Sequence, residues 1–167
     1  MSSLSKLEEP SPIDQRMLVA LVRMQFGEPF GAWLESSIDT MKVERSMKTG
    51  KIKYLHGSNG IFLVLRPTDG FFTLTIDAAI LLNELEANAM ENGITILTEV
   101  ASFIKDGRNV FAKHVVNPNP GIQPLQELYV CDEERNVLAV GKAIISGTEM
   151  ATLSRGVAVK TRHGIDA

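Results

Sequence analysis

The sequence predicts an α+β fold in two parts: helices with a small antiparallel sheet over 13–92, then a unit of short strands over 93–167. Two observations carry this prediction. Apolar residues recur at helical spacing after Ile13. Between Lys105 and Gly164, apolar runs of about four to eight residues alternate with Gly, Pro and Asn, which is typical of strands. That second stretch leaves no room for a long helix.

The composition indicates a folded chain. Hydrophobic residues make up 44% of its 167 residues, enough to form packed cores. No apolar run approaches the roughly 18 residues that a membrane span needs. The acidic N-terminus with its Ser and Pro residues is unlike a secretory signal, so 1–12 are interpreted as a flexible lead-in. We expect a cytoplasmic protein that does not contact a membrane.

The charge gives little direct support for a nucleic-acid ligand. The chain has 17 basic and 20 acidic residues, and the resulting net charge of −3 arises before residue 92. Dedicated nucleic-acid binders are often strongly basic. Any contact with RNA must therefore come from local clusters of Lys and Arg and not from a global field.

In the first part, apolar spacing predicts a helix from Ile13 that ends at Gly27, and a second short helix over 31–36. Trp33 is interpreted as a core side chain between these two helices. The other expected elements are strands on both sides of Thr49-Gly50, strands over 61–65 and 71–75, and a helix from a Thr75 cap to Asn92-Gly93.

The second part is expected to open with a strand over 94–97 and a short helix that Thr98 caps and Gly107 ends. Residues 110–116 are interpreted as one β-rich segment, which would place His114 inside a strand. The other expected elements are strands at 128–131, 137–140 and 157–159, and a short helical turn with a Ser146–Glu149 capping box.

Several stretches carry a family resemblance. Over about 93–164 the chain is similar to the PUA domain, a small β pseudo-barrel found on RNA-modifying enzymes and translation-related proteins, in GRNVFAKHVV, NPGIQPLQELYV, LAVGKAIISGTEM and RGVAVKTRHG. Upstream, it resembles the region that precedes this domain in archaeal tRNA-guanine transglycosylases, in FGEPFGAWL, ERSMKTGKIKYL and LRPTDGFFTLTIDAA. The resemblance implies an α+β pre-PUA domain over 13–92 and a PUA domain over 93–167, without the catalytic barrel of that enzyme.

The resemblance also implies an RNA-binding face. In PUA domains the short helix, its glycine loop and the next strand face the RNA, and the terminal strand lies nearby. Glycine lets the backbone approach a phosphate, and flanking Lys and Arg neutralise it. The glycine could equally be a helix cap, and the charges of the terminal strand could equally protect a sheet edge. The implied RNA-binding residues are Lys105, Gly107, Arg108, Asn109, Lys113, Lys160 and Arg162.

A second basic cluster lies in the first part of the chain. Lys51 and Lys53 flank Ile52 and so point to one face of a strand. A solvated hairpin face is the first interpretation of this cluster, with phosphate contact as the alternative. Arg66 is interpreted as the partner of Asp69 in a local ion pair. The additional RNA contacts considered are Lys42, Arg45, Lys51, Lys53 and Arg66.

The sequence offers no recognised catalytic motif. It has no phosphate-binding loop, dinucleotide fingerprint, HExxH helix or GxSxG elbow. The histidines His56, His114 and His163 share no metal-ligand spacing, and the lone cysteine, Cys131, excludes an intramolecular disulfide and a multi-cysteine zinc site. No cofactor, metal or catalytic residue is expected.

The sequence therefore predicts a noncatalytic RNA-binding protein, with tRNA or another structured RNA as its partner, in RNA modification, ribosome assembly or translation. Two alternatives stay open. The chain could be the RNA-binding subunit of a split tRNA-guanine transglycosylase, with a catalytic partner. It could also be a protein-interaction adaptor that has lost RNA binding, which the balanced charge of its second part favours.

Overall fold

The computed structural model of the chain describes residues 6–167, which form a first unit up to Asp77 and a second unit from Ala78 onward. The α+β class predicted from the sequence is confirmed. Part of the lead-in predicted over 1–12 lies outside the described residues. Within the described part, Leu7–Glu8 form a short strand, β1, so this segment is not uniformly flexible.

Helix α1 (Pro12–Phe26) begins where the sequence supplies a cap. The Ser11 hydroxyl accepts a hydrogen bond from the Asp14 NH at 3.1 Å, and the Asp14 carboxylate accepts one from the Ser11 NH at 3.0 Å. Gly27 ends the helix, as predicted. Helix α2 (Glu28–Ser37) begins earlier than predicted because a proline is tolerated in its first turn.

The first unit contains a five-stranded antiparallel sheet whose strands lie in chain order. Gln25 of α1 binds one outer strand of this sheet at Phe72. Its side-chain amide donates to the Phe72 carbonyl at 2.9 Å and accepts from the Phe72 NH at 2.7 Å, which satisfies backbone groups at the sheet edge. The strands after β1 are β2 (Lys42–Arg45), β3 (Ile52–Gly57), β4 (Gly60–Leu65) and β5 (Phe72–Leu74).

The position of Trp33 differs from the prediction. Its ring is half-buried and lies 6.1 Å from the ring of Phe30 in its own helix and 5.4 Å from the ring of Phe62 in β4, between centroids. Trp33 therefore packs on the sheet, whereas the sequence had suggested a position between the two helices. Burial of an aromatic surface is predictable from composition, but the element that covers it is not.

The second unit is built around a six-stranded sheet in the order β7–β11–β10–β9–β6–β8, in which β6 and β9 are parallel. Helix α3 (Ile76–Leu85) carries the chain from the first unit into this one. The strands are β6 (Gly93–Ile96), β7 (Val110–Phe111), β8 (Val115–Val116), β9 (Glu127–Cys131), β10 (Val137–Ala143) and β11 (Val157–Gly164), and the helices are α4 (Ala101–Lys105) and α5 (Gly147–Thr152).

A short link closes this sheet on itself. β7 and β8 occupy its opposite edges, yet they are joined by a 3-10 turn over Ala112–His114. Three residues of 3-10 helix cover only about 6 Å, so the two edges must curl toward each other into a nearly closed pseudo-barrel. The prediction of one β-rich segment over 110–116 is therefore wrong, and His114 lies in the turn and not in a strand.

The core of the pseudo-barrel comes from its two central strands. Every residue of β9 is buried, and in β10 all except Lys142 are. Strands whose residues are mostly apolar and almost all buried are typical of strands that are covered on both faces. The predicted capping box forms at α5, where the Ser146 hydroxyl accepts from the Glu149 NH at 3.1 Å.

Two predicted helix boundaries are corrected by tertiary contacts. The helix expected to reach Asn92-Gly93 ends at Leu85. Asn92 instead donates to the buried carboxylate of Glu86, through its NH at 3.1 Å and its side chain at 2.6 Å, and the Tyr129 hydroxyl donates to the same carboxylate at 2.9 Å. Burial raises the pKa of Glu86, and these hydrogen bonds oppose the rise.

The second correction concerns Thr98, which was predicted to cap the short helix. Thr98 lies inside a 3-10 turn, Thr98–Val100, that Leu97 precedes. Its NH donates to the Glu133 carboxylate at 3.0 Å, and its hydroxyl accepts from the Glu133 NH at 3.3 Å. Both hydrogen bonds of Thr98 are therefore made with Glu133, which is remote in sequence, and local capping rules cannot predict such a partner.

Candidate nucleic-acid interface

The loop after α4 has a fixed backbone. The Gly107 NH donates to the Ile104 carbonyl at 3.0 Å, and the Arg108 NH donates to the Phe103 carbonyl at 3.1 Å, the pattern of a Schellman cap. Gly107 has φ of 96°, a value that favours glycine. The helix-cap interpretation of Gly107 is confirmed, and its contact with RNA stays a prediction.

The end of the terminal strand packs against the backbone of this loop. A side chain at Gly164, the last residue of β11, would overlap the Lys105 carbonyl oxygen and the Gly107 nitrogen. Just beyond the strand, the Asp166 NH donates to the Lys105 carbonyl at 3.0 Å. The position of the loop therefore depends on close backbone packing against the end of β11.

Strand register brings the predicted residues of the loop beside the terminal strand. β7 pairs with β11 through Val110 opposite Val159. The Asn109 side-chain oxygen accepts from the Thr161 NH at 3.1 Å, which extends this contact toward the loop. Asn109 thus has a positioning role, and Arg108 next to it lies alongside the segment that contains Lys160.

Exposed aromatic rings lie among the cations of this surface. The Arg108 guanidinium is 5.6 Å from the ring centroid of Phe103, which is 52% exposed. Phe111, 46% exposed, precedes the exposed Lys113 by two residues. Exposed rings beside Arg and Lys can stack with unpaired nucleobases. The prediction from sequence did not include Phe103 or Phe111, although both lie next to the cations that it named.

A like-charge pair marks the same part of the sheet. Lys160 in β11 is directly opposite Lys142 in β10, and on its other side Lys142 is directly opposite the buried carboxylate residue Glu127 of β9, so the lysine pair is not an isolated like-charge pair. Lys142 is half-buried and is the only charged residue in β10. Sequence reasoning missed Lys142, although a single charge in an apolar strand is a recognisable feature.

Arg162 has a different environment. The register of β11 shifts between the pairs Val140–His163 and Gly141–Thr161, so Arg162 occupies a β-bulge. Its guanidinium forms a two-point ion pair with Glu127, with 2.8 Å between Nη1 and Oε1. The Glu127 side chain is 3% exposed, so Arg162 neutralises a buried carboxylate.

Lys105 is half-buried and acts on a nearby carboxylate. Burial raises the pKa of Asp132. Hydrogen bonds from the Asn136 backbone and side chain and from the Glu134 NH lower this pKa by more than burial raises it, and the positive charge of Lys105 adds to the lowering. The net pKa of Asp132 therefore lies below its usual value. Lys105 accordingly has an acidic group nearby as well as an open side.

Three of the five additional candidates in the first unit have acidic partners. Arg45 contacts the carboxylates of Glu8 at 2.7 Å and Asp14 at 2.5 Å. Lys42 contacts Glu9 at 3.2 Å. The predicted ion pair of Arg66 with Asp69 is present at 2.9 Å. The other two candidates, Lys51 and Lys53, are exposed and have no ion pair among residues 6–167.

Neither a metal-binding cluster nor a membrane-spanning helix is present among residues 6–167. Within the described part of the chain, no group of three or more His, Cys, Asp or Glu side chains is arranged to hold a metal ion. None of the described helices has both the length and the apolar character to cross a membrane.

Two family patterns together cover most of the chain. Residues 92–165 match the PUA domain, and residues 16–87 match the patch-forming domain C2 of tRNA-guanine transglycosylase. The tRNA-guanine(15) transglycosylase of Pyrococcus abyssi is 35% identical over 151 residues, which are 90% of this chain and 25% of the relative. That of Pyrococcus furiosus is 33% identical, over 89% of this chain and 24% of the relative. The chain thus spans about a quarter of the length of these curated relatives.

Solved structures share the fold along most of the chain. A hypothetical protein from Pyrococcus horikoshii has a TM-score of 0.74 at 18% identity and covers 98% of this chain, with 96% of its own chain covered. A PUA domain structure from Aeropyrum pernix, in complex with tartrate, has a TM-score of 0.65 at 15% identity, with coverages of 98% and 88%. At these identities, the likeness shows the fold alone.

Proposed function

Because this chain combines a PUA domain with the patch-forming domain C2, and is homologous to the C-terminal region of archaeal tRNA-guanine transglycosylase, we propose that it is a noncatalytic RNA-binding protein. Its ligand is tRNA or another structured RNA, held in the cytoplasm during RNA modification, ribosome assembly or translation. The name of the curated relatives refers to tRNA, which supports the choice of ligand.

The observation that carries this proposal is the set of cations along β7, β10 and β11. Lys142 and Lys160 are opposed across β10 and β11, and the exposed Arg108 and Lys113 lie in the chain on either side of β7, the edge strand that pairs with β11. RNA duplexes are recognised mostly by shape and by contacts with phosphate and the 2′-hydroxyl. The exposed cations would neutralise a phosphate backbone that lay across these strands.

The residues of the face then divide into two roles. Arg108, Lys113, Lys142 and Lys160 contact phosphates, and Phe103 stacks with an unpaired base at the edge of the duplex. The others hold the face in place: Asn109 binds β11, and Arg162 neutralises Glu127. The remaining positioning residues are Lys105 and Gly107, which fix the loop on the end of β11.

Charge reversal on the face tests the proposal. Replacing Arg108→Glu and Lys113→Glu together should weaken binding of unfractionated tRNA by at least about tenfold, because two phosphate contacts are lost. The slope of log affinity against log salt concentration should fall by about two. Filter binding between low and moderate salt measures both quantities.

A matched control separates local contact from net charge. Lys6→Glu with Arg16→Glu makes the same change of charge at two exposed positions of the first unit that are outside the predicted face. This variant should keep the affinity of the unmodified chain to within about twofold. Equal weakening in the two variants, or no binding of tRNA by the unmodified chain at low salt, would contradict the proposed face and favour the adaptor role.

A second candidate role is that of an RNA-holding subunit for a base-exchanging enzyme. The match to a quarter of the curated relatives supports it, and α1 exposes Ile13 at 70% and Met24 at 69% on one side, a surface suited to a protein partner. Adding the chain to a tRNA-guanine(15) transglycosylase that lacks its C-terminal domains should restore incorporation of labelled guanine into tRNA. Absence of any gain would rule out this role for the chain with that enzyme.

A further inference from the structure

The first unit contains a groove that the proposed RNA face does not use. Its volume is about 640 Å³, and it opens between α1, the β2–β3 turn and the β4–β5 turn. Its lining includes Asp14, Met17, Lys51, Lys53, Leu65 and Pro67.

The rim of this groove is positively charged. Five of its lining residues are basic and one, Asp14, is acidic. Arg45 and Arg66 have carboxylate partners. The other three basic residues are exposed and have no ion pair among residues 6–167, namely Lys48, Lys51 and Lys53. The groove thus has unneutralised donors for an anion.

The turn that carries these lysines is already ordered. The Ser46 NH donates to the Lys51 carbonyl at 2.8 Å, and the Gly50 NH donates to the Ser46 carbonyl at 2.9 Å. The Ser46 hydroxyl accepts from the Lys48 NH at 3.3 Å, and the Arg45 guanidinium donates to the Gly50 carbonyl at 3.1 Å. A ligand therefore need not order the turn in order to bind, which favours affinity.

The floor of the groove is apolar. Met17 is 38% exposed, Leu65 is half-buried, and both lie beside Ile52 and Pro67 in the lining. A methionine thioether adapts to flat or irregular ligand surfaces. The groove therefore combines an apolar contact surface with a cationic rim.

We propose that this groove binds a nucleoside phosphate, with the base against Met17 and Leu65 and the phosphate at Lys51 and Lys53. A nucleoside phosphate joins a flat, largely apolar ring to an anion, which matches the floor and the rim. The volume lies within the range of about 300–1,000 Å³ that is usual for small-molecule sites. A helical peptide fits less well, because Ile13 and Met24, the most exposed apolar side chains of α1, lie outside the lining.

The ligand could be a free nucleotide or an unpaired nucleotide of an RNA strand. Calorimetric titration with each of the four nucleoside 5′-monophosphates, and then with 5′-phosphorylated trinucleotides, distinguishes these sources. Tighter binding of the trinucleotide would identify an RNA strand, and equal binding would identify a free nucleotide. Both results support the site.

Two variants test the two halves of the groove. Lys51→Glu with Lys53→Glu should lower the affinity for the monophosphates at least about tenfold, because the phosphate loses two cations and meets two anions. Met17→Gln should lower the affinity for the monophosphates several-fold without a change of charge. It should also reduce the difference in affinity among the four monophosphates. Circular dichroism and thermal melting show that each variant is folded.

Two exposed positions outside the groove supply the matched control. Lys6→Glu with Arg16→Glu makes the same change of charge and should leave the affinity for monophosphates unchanged. The RNA face is tested separately through tRNA binding of Arg108→Glu with Lys113→Glu, so a failure of the groove and a failure of the RNA face are distinguishable. The proposal is overturned if no monophosphate binds at millimolar concentration, or if inorganic phosphate or ribose 5-phosphate binds as tightly. It is also overturned if a leucine-containing acidic peptide binds the groove more tightly than every nucleotide.

Discussion

Two cations of the terminal strand show how far environment decides the role of a side chain. Lys160 and Arg162 are two residues apart, yet Lys160 is opposite another lysine and Arg162 is bonded to the buried carboxylate of Glu127. Lys160 is exposed and has no ion pair among residues 6–167, whereas loss of Arg162 takes two hydrogen bonds from a buried anion. We therefore expect Lys160 to serve the ligand and Arg162 to serve the fold.

The carboxylate of Glu86 predicts a pH dependence of stability. Burial raises its pKa in the folded state above the ordinary value of 4.5, in spite of the hydrogen bonds from Asn92 and Tyr129. A raised carboxyl pKa means that the folded form binds the proton more tightly than the unfolded form. The stability that protonated Glu86 contributes is therefore fully present below pH 4.5 and is lost as the pH rises through the folded pKa. Urea midpoints at a series of pH values measure it.

Replacement of the residue checks the assignment. The side chain of Glu86→Gln cannot titrate. As the pH rises above 4.5, the free energy of unfolding of the unmodified chain should therefore fall relative to that of this variant. Tyr129→Phe removes a hydrogen bond that lowers the pKa and should extend the window to higher pH. A constant difference between Glu86→Gln and the unmodified chain across the window would assign the dependence to another group.

At the scale of the element, the proposed RNA face depends on α4 with its loop and on the end of β11. The Schellman cap fixes the direction in which the chain leaves α4. Close packing of Gly164 against the backbone of Lys105 and Gly107 fixes the position of the loop relative to β11. Backbone contacts thereby place Arg108, whose exposed side chain lies beside the Phe103 ring and remains accessible to a ligand.

Alanine at Gly164 should displace this element. Because its methyl group would overlap backbone atoms of Lys105 and Gly107, Gly164→Ala should cost about 2 kcal/mol of unfolding free energy and weaken tRNA binding. Gly107→Ala is the comparison, since a Cβ there meets Ala167 at an ordinary 3.6 Å and costs about 1 kcal/mol through its φ angle. Chemical denaturation and filter binding measure the two effects. A smaller loss in Gly164→Ala than in Gly107→Ala would contradict this account of the packing.

Elements with local determinants were predictable from the sequence. The stop at Gly27 and the capping box at Ser146 depend on neighbours a few residues away, and both were predicted correctly. The end of α3, the contacts of Thr98 and the division of 110–116 depend on residues remote in sequence. Those features were missed because tertiary contacts overrode the local pattern.

In the candidate site, too, features that depend on neighbours in sequence were predictable and features that depend on remote residues were not. The family resemblance implied that the loop cations contact RNA, which stays a prediction, and it did not anticipate that the Asn109 side chain accepts a hydrogen bond from Thr161 of the terminal strand. Lys142 was missed because its significance arises from the register between β10 and β11, which the sequence does not reveal. Phe103 was missed because an aromatic residue in a short helix is read by default as core, whereas here it is 52% exposed.

At the scale of the whole molecule, each unit has its own cationic surface, and the two differ in form. The surface of the second unit is spread over adjacent strands and suits an extended phosphate backbone. That of the first unit surrounds a groove and suits one nucleotide. Because the acidic excess lies in the first half of the sequence, neither surface could be recognised from net charge.

The three-residue turn Ala112–His114 has a consequence for how the protein tolerates change. It holds together two strands that would otherwise be the outer margins of an open sheet. A flexible insertion at this seam would let the sheet unroll and leave unpaired peptide groups along both margins. Such margins pair readily with those of a second copy, so a variant lengthened here would exchange strands and accumulate as dimers or larger assemblies.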